Sequence, residues 1–291
     1  MKVAVVAHAG KTFDGGLAEL RRTLRAEGVR EPLWREVSRS KDARQAVRSV
    51  LKDGAELILV WGGDGMVQRC VDALGEGKAA LAVVPAGTSN LFATNLGIEK
   101  DIRAAVRTAL EGDRRRLDVG SLNGERFAVM AGVGFDAAIL KGADAARKQR
   151  LGRAAYLLSA ITNLGFKPFG ATIKIDGERW YKGPASCILV ANTGNLFGGM
   201  AVFDEARPDD GLLDVGVLTA DGALQIARTL ARTAVGTTGS SPFVRATQAR
   251  AVKIALDRKV ACELDGGTRG TARSLKFAIE PRAVTFCVPA T

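Results

Sequence analysis

Histidine is almost missing: His8 is the single one in 291 residues. One imidazole without a second histidine or paired cysteines makes a poor metal site, so a histidine-cluster metalloenzyme is not expected and His8 reads as structural. The four cysteines, Cys70, Cys187, Cys262 and Cys287, stand far apart. No two have zinc-ligand spacing, and a scattered set suits buried thiols in a reducing cytoplasm. Only two tyrosines occur, which argues against a surface that stacks single-stranded bases. No apolar run approaches the roughly 20 residues that a bilayer span requires. The opening MKVAVVAHAGKT lacks the long apolar region and cleavage site of a secretory signal and reads as a first strand.

What is present is ordinary globular material: 47% hydrophobic and 25% charged residues, enough chain for one large or two modest domains. Lys and Arg number 42 against 31 acidic residues, a net charge of +11. That field favours an anionic partner such as a nucleotide, a nucleic acid or an acidic lipid surface.

Strand and helix alternate in the first part. KVAVVAH, PLWREV, ELILVW and AALAVVPAG read as strands. Between them GGLAELRRTLRAEG, DARQAVRSVLKDG and GMVQRCVDALGEG carry helical periodicity and end in glycine. Apolar strands alternating with helices predict a parallel sheet covered on both faces, with ligands beyond the carboxyl ends of the strands. Past about residue 115 the pattern becomes short strands. Hairpins turn at Asn123-Gly124 and Asp176-Gly177, and GLLDVGVL, VRATQARAVKIAL, KVACELDGG, SLKFAIEP and AVTFCVP follow. Two helical stretches, 143–165 and 221–236, interrupt them. The expected organisation is an α/β domain over residues 1–120 and an all-β domain over 121–291, with the last strand able to return to the first domain.

Two strand ends stand out. Gly62-Gly63-Asp64-Gly65 follows ELILVW and precedes a helix, and PAGTSN, with Gly87, Thr88 and Asn90, follows the fourth strand. Glycines leave main-chain N–H groups uncovered, and a helix N-terminus behind them adds partial positive charge, so such a turn can cradle phosphate. A lone carboxylate there, Asp64, suggests Mg²⁺ or proton handling, or simply a surface residue of a tight turn. The P-loop pattern fails because its first glycine would fall at Val5, and the dinucleotide pattern fails because Gln68 occupies the third glycine position.

GGDGMVQRCVDAL, VVPAGTSNLFATNLGI, RRLDVGSLNGERFAVMAGVGFDA, FDEARPDDGLLDVGVL and CELDGG occur in that order. Their sequence resembles the ordered motifs of the diacylglycerol kinase family of lipid kinases, bacterial soluble members above all, which is related to NAD kinases and sphingosine kinases. The resemblance implies an NAD-kinase-like parallel α/β domain and a β-sandwich-like domain with inserted helices. It implies an enzyme that uses ATP and Mg²⁺ to phosphorylate a lipid hydroxyl at the inner membrane surface, giving phosphatidic acid. The nucleotide would be held by Gly62, Gly63, Asp64 and Gly65 and by Gly87, Thr88 and Asn90. The first-strand loop matches loosely at Gly10 and Lys11, where Lys11 would neutralise a phosphate. A structural Mg²⁺ would take the Asp210 carboxylate and the carbonyls of Arg207 and Leu212. Nucleic acid is not an expected partner; self-association as a homodimer is left open.

The chain departs from the family pattern in three places. Met66 replaces the usual threonine after the loop, Leu91 replaces a carboxylate, and Gly267 replaces the glutamate of an Asp-Gly-Glu motif, the family's proposed general base. Asp118, Asp265 and Asp64 are the replacement candidates, with Glu263 ranked behind them. The alternatives are a kinase for a sphingoid base, another lipid or NAD, and a degenerate kinase that binds nucleotide or lipid without turnover. The basic stretch carrying Lys141, Arg147, Lys148, Arg150 and Arg153 reads as a packed helix whose cations can also meet anionic headgroups.

Overall fold

The computed structural model describes residues 1–75, 79–134, 168–196, 200–219 and 243–290. The two helical stretches expected in the second part, and the basic segment with Lys141 to Arg153, lie outside the described residues. The chain divides into two compact units, residues 1–119 with 282–291, and residues 120–281.

In the first unit β1 (Val3–His8), β2 (Leu33–Val37), β3 (Leu57–Gly62) and β4 (Ala80–Pro85) form a parallel sheet. Their spatial order is β4-β3-β1-β2. Every residue of β3 and β4 is buried, as continuous apolar runs demand of strands covered on both faces. The helices between them are α1 (Gly16–Ala26), α2 (Ala43–Lys52) and α3 (Asp64–Leu74). From β1 the chain steps outward to β2, then back across to β3 and β4. Right-handed crossovers therefore put α1 on one face and α2 and α3 on the other. Leu20 and Leu24 of α1 join Val5, Leu59, Trp61 and Val84 in one core cluster. The reversal makes the carboxyl ends of β1 and β3 a topological switch point, where ligands of open α/β sheets bind.

Two helices escaped the sequence reading. α4 (Leu91–Asn95) is a single short turn after the second glycine loop. α5 (Ile102–Glu111) starts at Asp101, whose side chain caps it by accepting from the Ala104 N–H at 2.7 Å, and Ile102, Ala105, Val106 and Ala109 are buried.

The second unit is antiparallel. β5 (Asp113–Leu122) leaves the first unit and turns through Asn123-Gly124 into β6 (Glu125–Phe127). Then come β7 (Met130–Val133), β8 (Phe169–Ile175), β9 (Glu178–Ala185) and β10 (Cys187–Ala191). Among the described residues Asn195–Leu196 (β11) and Met200–Ala201 (β12) pair with each other alone. β13 (Leu213–Leu218), β14 (Val244–Ala249), β15 (Ala251–Leu264) and β16 (Gly267–Val288) complete the chain. The long β15 serves two partners along one edge: its first half pairs with β8 and its last residues with β7. Bulges between Ala255 and Val260 and between Ala261 and Glu263 bend it on the way. Sheets β8-β9 and β7-β10-β13-β14 thus share one strand and one core, with Ile173, Val252, Ile254 and Phe277 beside Val133, Ile188, Val190 and Val215.

Three hairpins turn on the same chemistry. Asn123-Gly124, Asp176-Gly177 and Asp265-Gly266 all have both residues at positive φ, as the tight mirror-image turn requires. SLKFAIEP and AVTFCVP, read as two strands, are one strand, β16. It passes Pro281 because Arg282 takes a left-handed conformation, φ 50°, and its N–H is received by the Asp118 carboxylate at 2.6 Å. Beyond that kink Phe286 pairs in parallel with Leu81 of β4, and its ring meets that of Phe92 of α4 at a tilt of 58°. No helix among the described residues is long and apolar enough to cross a membrane.

Candidate nucleotide site and second-unit carboxylates

The glycine loops of β3 and β4 touch. Ala86 N–H and Gly87 N–H both donate to the Gly62 carbonyl, at 2.9 and 3.1 Å. A Cβ on Gly87 would stand 2.4 Å from the Gly63 Cα, and one on Gly63 would stand 3.1 Å from the Gly87 Cα. Only two residues without side chains can pack main chain on main chain at this distance. Gly62 is glycine for another reason: its Cβ would meet the Met66 Cβ at 2.6 Å. Met66 is buried beneath the loop, so it fills space where the family's threonine would carry a hydroxyl. A Cβ on Gly65 would meet nothing within 4 Å, so this glycine faces open space.

Asp64 lies at the first turn of α3, and its carboxylate reaches across to α4. Oδ2 accepts from the Leu91 N–H and Oδ1 from the Phe92 N–H, each at 3.0 Å. It acts as a remote N-cap, satisfying two amides that a helix start leaves without intrahelical partners. The Asn90 side chain closes the second loop. Its Oδ1 accepts from Gly87 N–H and its Nδ2 donates to Gly87 O, both at 2.9 Å, with Asn90 itself in the left-handed region at φ 50°. Thr88 is left exposed at the tip.

The first-strand loop joins the same end of the sheet. Trp61 Nε1 donates to the Lys11 carbonyl at 3.1 Å, and His8 Nδ1 accepts from Gly10 N–H at 3.2 Å. Burial, and then the Lys11 charge, hold the His8 imidazole below its ordinary value, in keeping with its role as an acceptor in this turn. Lys100 was not anticipated. Its Nζ donates to Gly87 O at 3.0 Å and lies 4.9 Å from the Phe13 ring centre. It brings a cation to the second loop from 13 residues downstream, a separation with no motif to betray it.

Asp118, also in the first unit, is buried. The second unit holds the other carboxylates. Asp265 accepts from three consecutive amides, Ala128 to Oδ2 at 2.7 Å and Val129 and Met130 to Oδ1 at 2.9 and 2.8 Å. It anchors the strand entering β7 to its own hairpin. Gly267, where the family has its glutamate, follows this turn; a Cβ there would meet the guanidinium of Arg269 at 2.7 Å, and Arg269 is engaged with Glu125. Glu263, two residues before Asp265, is 2% exposed, and its Oε2 has no hydrogen-bond partner among the described residues. Burial, aggravated by the Asp265 charge, pushes it up to about 8. Burial likewise raises all four thiols, which suits inert cysteines.

At Arg207–Leu212 the Asp210 Oδ1 accepts from Leu212 N–H at 2.9 Å. Nearby Asp214 is raised to about 6 by burial, opposed by the Gln248 amide and reinforced by Asp210 and Glu205. Carboxylates this close make a negative field that a divalent cation would relieve. Among the described residues no three His, Cys, Asp or Glu side chains converge as a metal cluster; an ion at this turn would have one carboxylate, carbonyls and water as its ligands, a donor set of the kind hard divalent ions take.

Comparison with known proteins agrees with this architecture. Residues 2–122 match the diacylglycerol kinase catalytic domain. Residues 129–288 match the YegS C-terminal NAD kinase beta sandwich-like domain. A Pseudomonas aeruginosa protein named "probable lipid kinase YegS-like" is 32% identical over 99% of this chain and 95% of its own. A Bacillus subtilis diacylglycerol kinase is 29% identical over 77% and 75%. Among solved structures, a Bacillus anthracis diacylglycerol kinase superposes with a TM-score of 0.75 at 20% identity, covering 99% of this chain and 96% of that one. An ATP-bound NAD kinase from Archaeoglobus fulgidus gives 0.56 at 13%, over 99% and 93%. These likenesses establish the NAD-kinase-like first domain and the sandwich-like second.

Glu263 makes a prediction about pH. Its folded value is raised from 4.5 to about 8, so between those values the folded chain holds a proton that the unfolded chain has released. Its contribution to stability therefore falls as pH rises through that window and levels off above it. Glu263→Gln should match the parent below about 4.5 and exceed it above about 8, by on the order of a few kcal/mol. Urea unfolding of both proteins across the window measures this, and a difference that does not change with pH refutes it.

Proposed function

The chain belongs to the bacterial lipid kinase family that joins a diacylglycerol kinase catalytic domain to a YegS-type second domain, and on that premise we propose that it phosphorylates diacylglycerol or a closely similar lipid from ATP, giving a phosphatidic acid. The observation that carries the reading is the stacking of two side-chain-free loops at the switch point of a parallel sheet. Beside the packed loops Gly65 leaves room for a triphosphate tail, and Lys11 and the exposed Thr88 hydroxyl stand on the adjoining turns. In the proposed reaction the acceptor oxygen bonds to the γ-phosphorus as the bond to ADP breaks. Such transfers depend chiefly on positioning and charge stabilisation. Mg²⁺ would be held in the second unit by Asp210 and the carbonyls of Arg207 and Leu212, where it would order the turn.

The acceptor's proton passes to a carboxylate, for which Asp64, Asp118 and Asp265 are the candidates. A general base contributes roughly 10²–10⁴-fold, so a chain with Gly267 in place of glutamate can retain catalysis through its loops. The same substitution, with Met66, also favours a second reading, a nucleotide- and lipid-binding protein without turnover.

Incubation with radiolabelled ATP, Mg²⁺ and mixed-lipid vesicles, with NAD as a parallel acceptor, tests the reading. Label should enter the phosphatidic acid band and not NADP. Gly87→Ala should abolish transfer and weaken ATP binding at least tenfold, because its Cβ meets main chain. ATP binding with no labelled product from any acceptor would leave the binding-protein reading standing instead.

For the proton acceptor, Gly267→Glu requires only that the end of the Arg269 side chain, 2.7 Å from the new Cβ, shift from its Glu125 and main-chain partners. If the native site lacks its base, the rate should rise by roughly a hundredfold or more; no gain would assign the proton to one of the aspartates, and Asn variants of each would identify which. For the ion, Mg²⁺ should raise the melting temperature of the parent saturably and leave that of Asp210→Asn unmoved. Equal shifts in both would remove Asp210 from the ligand set.

A further inference from the structure

The outward face of the second unit's β8, β9, β15 and β16 carries cations at directly opposed positions. Lys174 pairs with Arg179 on β9 and with Lys253 on β15, and Lys253 pairs with Lys276 on β16. Arg179, Lys174, Lys253 and Lys276 thus form one transverse row over four strands, and all four are exposed. With strands about 4.8 Å apart the row spans on the order of 15 Å. The next row on the same face reads Lys182, Thr172, Ala255 and Ser274, so a fifth cation joins and the rest are small. The alternate residues Ile173, Val252, Ile254, Leu275 and Phe277 point into the core. The acidic groups nearby do not neutralise the row. Asp176 at the hairpin tip is turned onto the Arg250 and Ala251 amides, and Asp257 lies over Gly170 at the far end. Among the described residues none of the five cations has an ion-pair partner.

Like charges directly opposite one another on a sheet are destabilising. Neither the core nor the hairpins of this sheet need them, so the row answers to something outside the fold. A row of exposed cations flanked by small side chains matches a plane of negative charge. Nothing on it reaches toward base edges, and Trp180, the aromatic within the β9 bulge, packs against the core. We propose that this face docks the protein on an anionic lipid bilayer through Arg179, Lys174, Lys253, Lys276 and Lys182. The proposal rests on the lipid-kinase reading for its purpose, bringing the enzyme to a bilayer-resident acceptor, and its test uses neither nucleotide nor acceptor.

Co-sedimentation with vesicles of phosphatidylcholine alone, and of phosphatidylcholine mixed with phosphatidylglycerol, measures docking directly. The parent should pellet with the mixed vesicles only, and less as salt rises and screens the contact. Each cation at such a surface is worth roughly a fivefold change in partition. Lys253→Gln alone should therefore cost about fivefold, and K174Q/R179Q/K253Q/K276Q together two orders of magnitude or more. The melting temperature of the fourfold variant should hold or rise, since repulsion is relieved. Parent-like pelleting of the fourfold variant, equal binding to neutral vesicles, or retention on duplex DNA with none on anionic vesicles would each overturn the proposal. A failed kinase assay beside salt-sensitive docking would count against the acceptor and leave the surface in place.

Discussion

The candidate nucleotide site depends on one close approach, Gly63 against Gly87. A β-carbon on Gly87 would collide with the Gly63 main chain and one on Gly63 would crowd Gly87, and the Gly62 carbonyl draws two amides of the second loop onto the first. The loops therefore cannot drift apart without breaking main-chain hydrogen bonds. Asp64 adds a strap from α3 to the start of α4, and Asn90 and Lys100 both fasten on Gly87. Loops tied in this way hold their shape by their own main-chain bonds, the condition under which fixed dipoles are most effective.

The second unit uses a related economy. In each Asx-Gly hairpin the turn residue that tolerates positive φ also ties a neighbouring strand: Asn123 receives the Lys276 amide, Asp176 those of Arg250 and Ala251, and Asp265 those of Ala128, Val129 and Met130. One short polar side chain sets both the turn and the register beside it. Glu263 stands outside this satisfied network, buried without a hydrogen-bond partner for Oε2 among the described residues.

Much of this was legible in the residues. Continuous apolar runs foretold β3 and β4, and glycine clusters at their ends foretold the loops; Asn123-Gly124 and Asp176-Gly177 foretold two turns. What escaped was information held between distant positions. α5 announces itself by the Asp101 cap, but its buried face includes alanines, a weak apolar signal. β16 was read as two strands because Pro281 looks like a stop, and only the Asp118 carboxylate shows how the chain continues. The bonds that Asp64 accepts come from the Leu91 and Phe92 amides, 27 and 28 residues away, and no local motif marks them. The cation row was invisible until cross-strand register aligned residues from four segments.

The return of β16 to β4 governs the order in which the molecule can be completed during synthesis. The edge of β4 and the ring of Phe92 wait for Phe286, and Gly112 packs against the Val288 carbonyl. While the ribosome is still making residues 120–281, the nucleotide unit lacks a strand. It acquires its last partner only when residues 282–290 emerge, so the emerging chain must pass through a stage in which an apolar sheet edge is open to chaperones and to neighbouring chains.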